Sequence, residues 1–293
     1  MSIPFFGFHC LLCTTRVVVM SFWPLMMAAT VHGQENANPA IAGDTPSVRS
    51  TTLLVDAMLK IAGVRATDFL IDLGSGDGPI LITAAKEYGA RGFGVDHDSR
   101  LVALANANAR MEGVDDRIKF VQQDPLKTDL GLATVISIKS LDDYSMALRH
   151  RLFALKPGTR VMSHDWKLGD WEADIKIQTR DSPAGTEKAG WIYLWVVPGK
   201  IGGRWFSRIP SDAGWIDAEF LFDQKFQKIS GEAMIGATKL AIERASISGD
   251  FVSFRIQNGK QTVLFNGLVQ SGRIVGQVML SGGRALRWRA LKS

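Results

Sequence analysis

The sequence predicts two folds in one chain: an α/β sheet over residues 47–198, then an all-β antiparallel barrel or sandwich over residues 203–293. Three observations carry this reading. Apolar runs of strand length alternate with helical patterns from Leu54 to Val197, which describes a parallel sheet covered by helices. A turn with three alternating glycines, Gly74-Ser-Gly-Asp-Gly78, joins the first apolar run to a helix. From Gly203 onward the helical spacing stops, and short alternating runs separated by glycine turns take over.

Composition allows such a core. Of 293 residues, 46% are hydrophobic and 22% charged, which fits one large or two modest globular domains rather than a disordered chain. The net charge of +5 is dispersed and forms no Lys/Arg block, so no nucleic-acid partner is expected. Cys10 and Cys13 are the only cysteines. The body of the protein therefore has no disulfide framework, Cys-based metal site or cysteine nucleophile, and no metal is expected.

Residues 1–33 carry a single charge, Arg16, followed by the apolar run Val17 to Ala29. That run is short for a spanning helix and contains Pro24, but it suits the apolar region of an export signal with a cut ahead of Gln34. The expectation is an exported, periplasmic protein, or a membrane-anchored one if the segment stays uncleaved. A cytoplasmic protein follows if the segment is not a working signal. Residues 34–46, rich in Asn, Pro, Ala and Gly, read as a linker.

Leu54, Ala57, Met58 and Ile61 have helical spacing, and Gly63 ends that helix. Phe69 to Leu73 is the first strand, with Asp72 at its carboxyl end, where open α/β sheets place ligands. Gly74, Gly76 and Gly78 then turn the chain with little side-chain bulk, so a ligand can lie against bare backbone beside Ser75. Pro79 suits a first helical position, and it stands where a dinucleotide fingerprint would need its third glycine, which weakens an NAD reading. Gly92 to Asp96 is the second strand, ending in a carboxylate 24 residues beyond Asp72, the spacing of an acid that accepts from ribose hydroxyls. His97 follows as a loop residue at the same edge; Asp98 or Ser99 is placed to cap the next helix. Leu101–Met111 reads as a helix, Arg117–Val121 as the third strand with Asp124 just beyond, and Thr134–Ile138 as the fourth. Asp142–Leu155 is a helix, Leu155-Lys-Pro-Gly158 a turn, and Thr159–Ser163 the fifth strand. Ala173–Arg180 and Trp191–Val197 alternate like the arms of a hairpin.

Asp72-Leu-Gly-Ser-Gly-Asp-Gly78, Asp96, Asp124 and Leu155-Lys-Pro-Gly158, occurring in this order, resemble the motifs of class I S-adenosylmethionine-dependent methyltransferases. The resemblance covers about residues 47–198. It implies a Rossmann-like sheet with an antiparallel seventh strand inserted at its edge, and S-adenosyl-L-methionine as cofactor. It also implies that Asp72, Gly74, Ser75, Gly76, Gly78, Asp96, His97 and Asp124 surround that cofactor, with Asp124 at the adenine amino group. The run from Leu155 to Trp166, with Gly169-Asp-Trp171, is similar to small bacterial methyltransferases related to lysine methyltransferases that act on membrane proteins. Two segments depart from them: Pro79 where they carry Arg, and Lys139–Tyr144 where they carry an apolar-aromatic stretch ending in Pro.

Methyl transfer from a sulfonium is an in-line displacement from an already activated leaving group, so the protein mainly aligns the acceptor and excludes water. An amine acceptor must be neutral, which calls for a base or desolvation. Candidates are His164 and Asp165 after the fifth strand, and Asp142, Asp143 and Tyr144 after the fourth. For Asp142 and Asp143 capping of the following helix competes with such a role. Trp166 and Trp171 read as packing or as the wall of an acceptor pocket. The acceptor is a protein side chain, lysine among them, or a small molecule; membrane or envelope association fits the N-terminal segment. A second reading keeps the fold without catalysis, as an exported binding protein whose β-domain recognises an envelope partner.

In the C-terminal third, strand-like runs occur at Trp215–Phe222, Gln227–Ile235, Lys239–Ile247, Phe251–Ile256, Thr262–Val269, Ile274–Leu280 and Leu286–Ala290. Arg287 and Arg289 alternate with Leu286, Trp288 and Ala290, which puts the two arginines on one solvated face.

Overall fold

A computed structural model describes residues 46–139, 145–179, 189–211, 214–259 and 261–293. The apolar N-terminal segment and Asp142, Asp143 and Tyr144 lie outside the described residues.

The first half is a seven-stranded sheet in the order β3-β2-β1-β4-β5-β7-β6. Its strands are β1 (Phe69–Leu73), β2 (Arg91–Asp96), β3 (Ile118–Gln122), β4 (Val135–Ile138), β5 (Arg160–His164), β6 (Ile175–Gln178) and β7 (Trp191–Val196). The first five are parallel, and β7 runs antiparallel between β5 and β6, as the resemblance implied. Helices α1 (Pro46–Ile61), α2 (Pro79–Tyr88), α3 (Ser99–Met111) and α4 (Ser145–Phe153) complete this half. Buried side chains of α1, α2 and α3 form one core with Leu70 and Val135; Leu148 and Leu152 of α4 share another with Ile71, Ile136 and Trp195. Pro79 opens α2, Gly89 ends it at φ 71°, and the Asp98 carboxylate caps α3 by accepting from the Arg100 amide.

The second half is a closed barrel in the order β10-β11-β12-β13-β14-β15-β8-β9, all neighbours antiparallel. Its strands are β8 (Gly203–Ser211), β9 (Gly214–Lys225), β10 (Lys228–Ile235), β11 (Thr238–Ser248), β12 (Phe251–Asn258), β13 (Gln261–Gln270), β14 (Arg273–Met279) and β15 (Ala285–Lys292). Seven match the runs read from sequence. The eighth, β8, has no such run: Pro210 interrupts its alternation and argues against a central strand. In the fold β8 pairs with β15 only as far as Ser207, so Pro210 lies beyond that ladder and no hydrogen bond to β15 is asked of it.

Side chains fill the barrel. Trp205, Phe220, Phe254, Phe265 and Trp288 are fully buried, and Phe254 and Phe265 stack with centroids 4.8 Å apart. The indole N–H groups find acceptors, Trp205 on the Ile201 carbonyl and Trp288 on the Ser207 hydroxyl. Both buried tryptophans are thereby satisfied.

Candidate functional site

Adjacent strands β3, β2 and β1 bring their carboxyl ends together, and with them Asp124, Asp96 and Asp72. The glycine turn fits over this edge through main-chain hydrogen bonds. The amides of Gly74 and Ser75 both donate to the Val95 carbonyl, and Gly76 N–H donates to Asp96 Oδ2 at 2.9 Å. Gly74, Gly76 and Gly78 have φ of 78°, 57° and 93°, values that L side chains rarely adopt. A Cβ on Gly76 would meet nothing within 4 Å, so the loop is open above its centre.

Beneath the loop, space is tight. A Cβ on Gly78 would come within 2.6 Å of the Phe120 ring, and one on Gly94 within 2.5 Å of that ring and 2.8 Å of Ser75 Cβ. Phe120, buried on β3, is thus the floor of the turn, and Gly94 on β2 makes room for it. Neither residue was singled out from the sequence, although a glycine inside a strand signals close approach by another group.

Asp68 and Asp72 flank the ends of β1, and both are buried. Asp68 is surrounded by donors: the Arg65 amide, the Thr134 hydroxyl and the Arg160 guanidinium. Its burial works to raise the carboxyl pKa, but these bonds outweigh it and hold the pKa below the usual value. Asp72 has one partner, the Ser137 hydroxyl, on Oδ1. Its Oδ2 and the Ser75 hydroxyl are buried with no hydrogen-bond partner among the described residues. Burial pushes the Asp72 carboxyl up to about 6, with the Ser137 hydrogen bond and Lys139 opposing the rise and Asp96 adding to it. Satisfied at one end of the strand and unsatisfied at the other, the pair marks the glycine-loop end as the one built for a ligand.

Asp96 accepts from the Gly76 and Asp98 amides, which fixes its orientation; a carboxylate offers about four lone-pair sites, so others stay free. Asp124 caps a short 3₁₀ turn, Pro125–Lys127, through the Leu126 amide. That turn role now stands beside the adenine contact implied by resemblance. The His97 side chain is exposed, and its carbonyl accepts from Gln122.

His164 and Asp165 lie at the end of β5, separated from β1 by β4. Asp165 has φ 62°, an unfavourable conformation for a residue with a side chain, held by two bonds to Trp191 of β7: its N–H donates to the Trp191 carbonyl and its Oδ1 accepts from the Trp191 amide. His164 Nε2 lies 3.5 Å from Asp165 Oδ2, and both groups reach solvent. A Cβ on Gly190 would strike both side chains, so that glycine leaves the space they share. Trp171 is buried, and Trp195 donates its indole N–H to the Trp171 carbonyl. Trp171 therefore belongs to the packing.

Comparison with known proteins adds the chemistry. A family model described as the ANTKMT methyltransferase domain matches residues 72–175. A protein-lysine N-methyltransferase of Saccharolobus islandicus is 34% identical over 154 residues, spanning 52% of this chain and 93% of that protein. An ATP synthase lysine N-methyltransferase of Xenopus laevis is 31% identical over 130 residues, spanning 44% of this chain and 57% of that protein. Among solved structures, an RNA methyltransferase from Salinibacter ruber in complex with S-adenosyl-L-homocysteine is 41% identical. It covers 51% of this chain and 93% of its own, with a TM-score of 0.47.

Proposed function

This chain belongs to the class I S-adenosylmethionine-dependent methyltransferases, and from that footing we propose that its acceptor is the side-chain amine of a protein lysine. S-Adenosyl-L-methionine is the cofactor. The residues present fit it on two observations: the glycine loop presents open backbone, and the Ser75 hydroxyl and Asp72 Oδ2 are buried polar atoms lacking partners among the described residues. In our reading Asp96, oriented by two amides, takes the ribose hydroxyls, while Gly74 to Gly78 accommodate the amino-acid part. Asp124 lines the adenine end beside its turn.

When bound, the cofactor supplies a methyl group already activated on sulfur. What remains for the chain is to align the amine, keep it unprotonated and exclude water. We place this work at His164 and Asp165. Asp165 is locked against Trp191, and its carboxylate lies 3.5 Å from His164 Nε2, so it orients the ring that takes the proton from the lysine ammonium.

The observation that carries the lysine reading is the identity to the Saccharolobus islandicus protein-lysine N-methyltransferase across 93% of its length. Methyl-labelled S-adenosylmethionine, incubated with the purified full chain and separated envelope and cytosolic extracts, tests it. Acid hydrolysis of labelled protein should release methylated lysine. Label confined to small molecules, or to another side chain, overturns the assignment.

A further inference from the structure

The barrel closes unevenly, and the seam lies next to an arginine-rich surface. β8 pairs with β9 from Gly203 to Ser211, and β14 with β15 from Arg273 to Met279. β15 and β8 share only Ala290↔Ser207, Leu291↔Phe206 and Lys292↔Trp205. Beyond Ser207 the ladder stops, and continuing its register would set Arg208 opposite Arg289. Like charges facing across a strand pair are destabilising. An anion between them would reverse that sign.

The registers define what lies on the outer face. One row crosses five strands: Met234 on β10, Glu219 on β9, Phe206 on β8, Leu291 on β15 and Arg273 on β14. Beyond it Asp217 faces Arg208 on one side of the seam and Arg289 faces Val275 on the other, and Trp215 and Arg287 continue the face. These residues line a cleft of about 1420 Å³. Large apolar side chains are open here, with Phe206 48%, Trp215 50%, Val275 54% and Leu291 55% exposed. Arg208 pairs with Asp217. Arg273, Arg287 and Arg289 have no ion-pair partner among the described residues.

We propose that this face docks on a membrane surface rich in anionic phospholipid, with Arg273, Arg287 and Arg289 on headgroup phosphates and Phe206, Trp215, Val275 and Leu291 in the interfacial layer. Guanidinium groups match phosphate oxygens in geometry, and tryptophan favours the bilayer interface. The apolar component decides between anionic partners. Val275, Leu291 and Met234 form an apolar area between the arginines that gains from acyl chains, and Trp215 is suited to the interface just above them. This docking does not depend on which acceptor is methylated.

The test uses the full chain and vesicles of phosphatidylcholine alone or mixed with phosphatidylglycerol. The wild type should bind the mixed vesicles at least tenfold more tightly than neutral ones, and the preference should shrink as salt is raised. The triple variant Arg273→Gln/Arg287→Gln/Arg289→Gln should lose about 100-fold in binding to the mixed vesicles. Both proteins carry residues 1–33, so the difference reports on the barrel face. Brominated phosphatidylglycerol should quench the wild type more than Trp215→Phe, which places Trp215 at acyl depth. Unchanged S-adenosylhomocysteine binding by the variants checks that they fold. The proposal is overturned if the triple variant binds mixed vesicles like the wild type. It is equally overturned if Trp215→Phe leaves quenching unaltered, or if inorganic phosphate, polyglutamate or an oligonucleotide at low concentration displaces the protein from vesicles.

Discussion

Phe226, at the tip of the β9–β10 hairpin of the barrel, stacks on Trp171 of the loop after β5, with ring centroids 5.5 Å apart and planes 10° from parallel. Phe153 of α4 meets both rings edge-on, and Arg149 lies over the Phe226 face. Around this contact, Gln227 accepts from the Trp171 indole and donates to the Glu172 carbonyl, while Lys225 and Lys228 pair with Asp170 and Glu172. The barrel thus braces the segment that follows His164 and Asp165. Phe226 sits at φ 56°, so its ring is kept at a backbone cost.

Two substitutions separate ring from backbone. Phe226→Ala should destabilise the protein by about 2–3 kcal/mol, since two aromatic contacts are worth roughly 0.5–1.5 kcal/mol each and the Arg149 contact adds about 0.5–1 kcal/mol. Phe226→Gly should be less damaging by about 1 kcal/mol, because glycine adopts this φ without strain. Chemical denaturation of both variants measures the difference; an equal or larger loss for glycine would show that strain is not stored there.

Asp72 makes stability depend on pH. Its folded pKa, about 6, lies above the ordinary carboxyl value of 3.8, so the folded state binds more protons between these limits. The contribution is complete below about pH 4 and is lost as pH rises through about 6, roughly 3 kcal/mol in all. Asp72→Asn removes the titration. The wild-type-minus-variant stability difference should therefore fall over this window and be flat outside it, as urea melts at pH 4, 5, 6 and 7 would reveal.

Asp96 accepts from the Gly76 amide of the loop and is the proposed ribose ligand. Asp96→Ala should cost at least about 30-fold in affinity for S-adenosylhomocysteine, since hydrogen bonds to a charged group contribute roughly 1.5–3 kcal/mol each. It also frees the Gly76 and Asp98 amides, so Asp96→Asn, which keeps an acceptor, should lose less. Titration calorimetry reads both. Wild-type affinity in the alanine variant would remove Asp96 from the ribose role.

Gly94 tests the floor of the loop. Gly94→Ala should destabilise the fold by about 1–3 kcal/mol through overpacking and weaken S-adenosylhomocysteine binding as Ser75 is displaced. Adding Phe120→Leu should restore part of both, because the ring is the obstacle. Thermal melts and calorimetry on the double variant decide; no recovery would place the strain elsewhere.

Sequence determined what depends on near neighbours along the chain. Three glycines two residues apart fix a turn, and the period-2 and helical patterns fix the elements of the sheet and seven of the barrel strands. Asp72, Asp96 and Asp124 were legible because strand ends are local and parallel strands collect them at one edge. Tertiary structure alone decided relations between residues far apart in the chain. It closed the barrel through β8, whose Pro210 hid the strand, and set Phe226 against Trp171, 55 positions away. It also separated two similar aspartates: Asp68 meets Arg160, 92 residues on, while Asp72 keeps an oxygen without a partner among the described residues. The physical reason is that a pattern along the chain specifies which face of an element is apolar. Which groups then meet across that face is set by how the elements pack.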